Sequence, residues 1–234
     1  MEGRKMKIGG LQKVSLIDYP GLICAIVFLQ GCNFNCSYCH NPELVDPKLF
    51  KPGIKEKEVL EFLNTRKGKL DAVTITGGEP TIQSDLESFI RQVRKMGFAV
   101  KLDTNGSHPQ VIKALMAENL LDFIAMDIKA PLEKYKNIVC AQIDSESIKE
   151  SISLILKATI PYEFRTTVVE SQLEEDDILN IAKMISGTNN YVLQKFVPSK
   201  TLDKQFLKEK SFPDEKLQKI KHQIEQGIAS VAIR

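Results

Sequence analysis

Apolar residues along this chain fall into short runs that end at polar, often glycine-bearing turns, and a stretch of helical periodicity follows most of them. The run LICAIVFL predicts a strand over residues 22–30, because a continuous apolar run of that length suits a strand covered on both faces. After PKLFKPG a helix is predicted over 55–66, with Val59, Leu60, Phe62 and Leu63 supplying its apolar contacts. The β-branched run at 73–76 predicts a strand that stops at Gly77 and Gly78. Leu86, Phe89, Ile90 and Val93 then recur at the three, four and seven spacing of one helix face. The unit repeats. Strands are predicted at 98–102, 122–126, 162–169 and 191–196, and helices near 109–118, 147–157, 174–185 and 213–226, the last with Leu217, Ile220 and Ile224 on its inner stripe.

Six strands alternating with helices predict an α/β fold with parallel strands, either an open sheet or a curved partial barrel. In both, loops that follow strands gather at one end, where α/β proteins bind ligands. The polar segments CNFNCSYCHN, TGGEP, DTNG and MDIK each follow a predicted strand, so residues distant in sequence can converge.

Length and composition narrow the class. With 234 residues and no glycine- or serine-rich linker, the chain reads as a single domain, 1–234. A 43% hydrophobic content and a formal charge of +2 exclude a disordered chain and a strongly nucleic-acid-binding one. Segment 200–221 holds seven lysines against four acidic residues, which reads as a solvated helix face. The longest apolar run is too short to span a bilayer, and no export-type segment precedes it. A cytoplasmic location, with no membrane or nucleic-acid partner, is therefore expected.

Three of the five cysteines, Cys32, Cys36 and Cys39, lie in the loop 31–41. Thiolates at these spacings can point at a common centre and bind zinc or an iron–sulfur cluster. A structural zinc needs a fourth ligand, for which His40 is at hand. CSYCH also matches a covalent haem attachment site, but that reading leaves Cys32 unexplained. Cys24, inside the first apolar strand, reads as a buried small residue, and Cys140 has no neighbouring cysteine in sequence.

Cys32, Cys36 and Cys39, with Tyr38 before the last of them, match the C-x-x-x-C-x-x-C signature of radical S-adenosylmethionine enzymes, and Gly77, Gly78, Glu79 and Pro80 match the G-G-E-P motif of that family. The resemblance covers most of the chain. It implies a partial (β/α)6 TIM-like barrel, a [4Fe-4S] cluster on the three cysteines, and S-adenosylmethionine. The segments GGLQKVSLIDYPGLICAIVFLQGCNFNCSYCHNPEL, TITGGEP, KLDTNG, AMDIKAP and FRTTVV further resemble the activating proteins of anaerobic ribonucleoside-triphosphate reductase and, more broadly, of other glycyl-radical enzymes. Such enzymes reductively cleave S-adenosylmethionine to a 5′-deoxyadenosyl radical that takes a hydrogen from a glycine of the partner enzyme. A flavodoxin- or ferredoxin-like protein is the implied electron donor.

The same resemblance implies site roles beyond the cysteines. Tyr38 belongs to the cofactor site, Gly77 and Gly78 permit close backbone approach to the cofactor, and Glu79 fixes its amino group. Asp103 and Asp127, each expected one residue beyond a strand, can help hold a monovalent cation with carbonyls of Thr104 and Ala125. Lys129 and Arg165 are candidate partners of the cofactor carboxylate, and Gln194 of its nucleoside. Two other classes stay open: a radical enzyme acting on a small metabolite, and a non-catalytic zinc or iron–sulfur interaction protein.

Overall fold

Cys24–Leu29 is apolar at every position and five of its six residues are buried, which makes it an interior strand. Around it, a computed structural model describes residues 6–234. The strands form one eight-stranded sheet in chain order with flanking helices, an α/β fold in which every specified pairing but the first is parallel. The chain gathers into two compact units.

The first unit takes residues up to Asn33, Glu43–Thr104 and Gln110–Ile124. It contains β1 (Ile8–Ser15), β2 (Cys24–Leu29), α1 (Pro42–Val45), α2 (Glu56–Asn64), β3 (Ala72–Gly77), α3 (Leu86–Lys95), β4 (Ala99–Thr104) and α4 (Pro109–Ala117). β1 runs antiparallel to β2, whereas β2, β3 and β4 are parallel neighbours. In this register Leu29 stands beside Gly77, so β2 and β3 end level with each other. The periodicity of α3 is borne out: Leu86, Phe89, Ile90 and Val93 are all buried.

β5 (Phe123–Asp127) begins in the first unit and ends in the second, which takes Phe34–Pro42, Asn105–Pro109 and Ala125–Arg234. There follow α5 (Leu132–Val139), α6 (Ser145–Leu156), β6 (Tyr162–Val168), α7 (Glu175–Met184), β7 (Tyr191–Lys195), α8 (Asp214–Ile224) and β8 (Val231–Ile233). β6, β7 and β8 are parallel neighbours. Asp144 caps α6 through Glu146 N–H at 3.0 Å, and Glu174 with Asp177 forms a capping box on α7. Leu217, Ile220 and Ile224 are buried on α8, as their spacing predicts.

The six expected strands correspond to β2–β7. The sheet has two more. β1 escaped the sequence pattern because its residues 9–14 are half or fully exposed and include two glycines; β8 is three residues long. Helix α5 occupies what the pattern left as a connection. Two strand ends also differ: β4 runs through Asp103 to Thr104, and β5 ends on Asp127 itself. Both aspartates therefore lie within strands, not one residue beyond them.

A buried hydroxyl relay ties the second unit together. Tyr191 Oη donates to Thr166 Oγ1 at 2.8 Å, and Thr166 Oγ1 donates to the Ile128 carbonyl at 2.9 Å. Substitution Y191F removes the first donor and should cost about 1 kcal/mol, a fall in Tm of about 2–4 °C for a chain of this size. Thermal unfolding of the full chain checks this, and an unchanged Tm would deny the relay a stabilising role.

Candidate functional site

In the first unit, the end of β3 turns sharply against the end of β2. Gly78 N–H donates to Leu29 O at 2.8 Å, Glu79 N–H to Gly31 O at 2.8 Å, and Gly31 N–H to Leu44 O at 2.7 Å. Gly77 has φ +120°, a region that residues with a side chain avoid. A Cβ on Gly77 would stand 2.4 Å from Leu29 N, and one on Gly78 would stand 1.9 Å from Gly31 O. The space that a side chain would need is thus taken by the protein's own backbone, which is a structural demand for both glycines whatever they also do for a ligand.

Glu79 follows with 0% exposure. Its Oε1 accepts from Thr81 N–H at 3.1 Å, Thr81 Oγ1 at 2.5 Å and Thr104 Oγ1 at 2.7 Å. A buried carboxylate needs such donors. Sequence reasoning missed both hydroxyls in this role. On β4, Lys101 Nζ lies 3.0 Å from Asp103 Oδ1 and donates to Asp18 O at 2.7 Å. Lys101 was also missed, although residues two apart on a strand share a face.

In the second unit the loop 34–41 has no regular helix or strand and is held by a turn, Cys39 N–H to Cys36 O at 2.9 Å. His40 is engaged structurally: Nε2 donates to Val197 O at 2.8 Å and the ring stacks on Phe196. Tyr38 is buried with its ring edge-on to Phe196, and its hydroxyl has no hydrogen-bond partner among the described residues. Burial pushes the Cys36 thiol up to about 11, against the opposing pull of Lys129.

Asp127, Lys129 and Arg165 come together as one cluster. Asp127 Oδ1 accepts from Arg165 Nε at 2.8 Å and Oδ2 from Lys129 Nζ at 3.0 Å. Burial opposes ionisation of Asp127, but the Arg165 and Lys129 charges outweigh it and hold the carboxyl well below the usual range. Behind them, buried Glu163 lies 3.8 Å from Arg165 and 3.2 Å from Arg234. Gln194 is half-buried on β7 opposite Thr167. Cys24 is fully buried with Thr74 Oγ1 donating to its sulfur at 3.6 Å, a structural thiol as expected.

Residues 26–185, more than half of the chain, match the family model of the Radical SAM superfamily. The chain belongs to the radical SAM superfamily. It is 36% identical over 238 residues to a Methanocaldococcus jannaschii protein provisionally named a glycyl-radical enzyme activating enzyme, covering 98% of this chain and 96% of that one. It is 29% identical to a provisionally named GTP 3′,8-cyclase of Pyrococcus abyssi, over 86% of this chain and 67% of the relative. Among solved structures, TYW1 with a lysine–pyruvate adduct bound is similar at a TM-score of 0.61 and 20% identity, covering 87% of this chain and 73% of that one. That likeness bears on the fold alone.

Among the described residues of this radical SAM protein, no three His, Cys, Asp or Glu side chains form a ready-made metal site. The fit to an iron–sulfur cluster and S-adenosylmethionine therefore rests on donor chemistry and charge. The cysteine loop offers thiols, the ligands such clusters use. Around Asp127, three cations (Lys129, Arg165, Arg234) face two carboxylates (Asp127, Glu163), an excess that suits an anionic group. Tyr38 adds a buried hydroxyl that lacks a partner among the described residues. These residues fit.

Two substitutions test this description. G78A should lower stability by about 3 kcal/mol or more, because the clash is with backbone that cannot step aside; denaturant unfolding measures it. D127N should cost about 2 kcal/mol at neutral pH by weakening two charge-assisted hydrogen bonds. Since the folded-state value of Asp127 lies below its unfolded value near 4, this contribution is complete above about pH 5 and fades as pH falls. The gap between wild type and D127N should narrow in acid. A gap that persists unchanged at pH 3 would contradict the ion-pair assignment.

Proposed function

We propose that this radical SAM enzyme activates a glycyl-radical enzyme by generating a radical at a backbone glycine of that partner. The observation that carries this reading is the similarity to the Methanocaldococcus jannaschii relative along 98% of this chain and 96% of that one. Anaerobic ribonucleoside-triphosphate reductase, to whose activating proteins the segments around the cysteines and TITGGEP are similar, is the partner to test first. The reading includes a cytoplasmic location and a flavodoxin- or ferredoxin-like electron donor. No helix among the described residues is long and apolar enough to cross a membrane.

Cys32, Cys36 and Cys39 would hold a [4Fe-4S] cluster, which when bound supplies the electron for reductive cleavage of S-adenosylmethionine to the hydrogen-abstracting radical. The chain's own residues bind and orient. Lys129 and Arg165 are the cations for the cofactor carboxylate, and Asp127, bonded to both, keeps them in place. Glu79 receives the cofactor's amino group from a side chain already fixed by Thr81 and Thr104. Gly77, Gly78, Tyr38 and Gln194 complete the cofactor-binding set. Asp103 and Asp127, with carbonyls of Thr104 and Ala125, are the candidate monovalent-cation ligands.

Similarity to the provisionally named GTP 3′,8-cyclase supports a second reading, radical chemistry on a small metabolite. One experiment separates the two. The reduced, cluster-loaded protein is incubated anaerobically with S-adenosylmethionine and a candidate glycyl-radical enzyme, and electron paramagnetic resonance is recorded. Deuterium at the partner's glycine Cα should change the hyperfine pattern and appear in 5′-deoxyadenosine. Robust cofactor cleavage with neither result, across a panel of glycyl-radical enzymes, would overturn the activase reading in favour of a small metabolite.

A further inference from the structure

Cys140 belongs to none of the motifs above, yet it lies against the cysteine loop. Asn35 N–H donates to Val139 O at 2.8 Å, and Ser37 Oγ stands 3.7 Å from Cys140 Sγ. The two chain neighbours of Cys36 thus touch two consecutive residues at the end of α5, which brackets Cys36 beside Cys140. The two thiols differ in access: Cys140 is exposed and Cys36 is buried. Cys140 also adopts φ +48° at the C-cap of α5, where glycine is the ordinary residue.

We propose that Cys140 is the disulfide partner of Cys36, and that peroxide closes the bond between them when the loop thiols carry no metal. Exposed Cys140 meets hydrogen peroxide first, giving a sulfenic acid and one water. The Cys36 sulfur then attacks the Cys140 sulfur, and the departing hydroxyl leaves as a second water with the Cys36 proton. Two thiols are oxidised by two electrons and one peroxide is reduced. A disulfide is reversible by a dithiol reductant, whereas further oxidation to sulfinic acid is in general not. The device therefore keeps a loop thiol recoverable after oxidative loss of a metal. It stands on the placement of the thiols and is independent of which substrate the enzyme attacks.

The test uses the full chain, stripped of metal under anaerobic conditions, treated with equimolar hydrogen peroxide, alkylated and digested with chymotrypsin. Cleavage after Phe34 and Tyr38 isolates Cys36 in residues 35–38, apart from Cys32 and Cys39. Mass spectrometry should find this tetrapeptide linked to the Cys140 peptide, released by dithiothreitol and lost in C140S. Linkage of Cys140 to Cys32 or Cys39, or conversion of Cys140 to sulfinic acid with no link, would overturn the proposal. Circular dichroism of C140S confirms that the exposed substitution leaves the fold intact.

Discussion

Close backbone contact between the ends of β2 and β3 is the constraint on which the first unit's part of the site depends. Leu29 and Gly77 stand level in the sheet, and the next residues of each strand bond to the other through Gly78 N–H to Leu29 O and Glu79 N–H to Gly31 O. The approach is so close that a Cβ on Gly78 would overlap the Gly31 carbonyl. Glycine here serves packing first. The contact also delivers Glu79 into the interior, where a carboxylate is tolerable only with donors around it. Thr81 supplies two of them from the adjacent turn and Thr104 a third from β4.

Charge pairing organises the strand ends in both units. Asp103 meets Lys101 and Asp127 meets Lys129, each two residues away, while Asp127 also accepts from Arg165. An isolated carboxylate at such places would lose solvation without compensation. Paired, it becomes a fixed reference that holds long cationic side chains in one orientation and limits the entropy they lose on binding a ligand. In the second unit three cations, Lys129, Arg165 and Arg234, pair with two carboxylates, Asp127 and Glu163.

Membership of the radical SAM superfamily states what kind of chemistry the chain performs, and the relatives show how widely its targets range. One relative of nearly equal length carries the name of an activating enzyme for a protein substrate, and another carries the name of a cyclase acting on a nucleotide. A shared fold and initiating chemistry do not choose between these targets. The choice lies in surfaces and pockets outside the shared motifs.

Much was legible in the sequence because the signals are local. The three, four and seven spacing of α3, the apolar run of β2, the α/β alternation and the short spacing of Cys32, Cys36 and Cys39 depend only on residues within a few turns of one another. Where the exposed pattern of β1 or the brevity of β8 carried no periodic signal, the strand was missed. Pairings between distant residues were beyond sequence reasoning. Arg165 reaches Asp127 across 38 positions, Thr104 reaches Glu79 across 25, and Ser37 lies beside Cys140 across 103. Helix and strand periods fix which way a side chain points along its own element, but the neighbour it meets depends on strand order, register and loop path. The sequence by itself determined the elements and the family chemistry, while the tertiary structure decided which charges pair, which glycines are sterically required and which cysteine stands beside the loop.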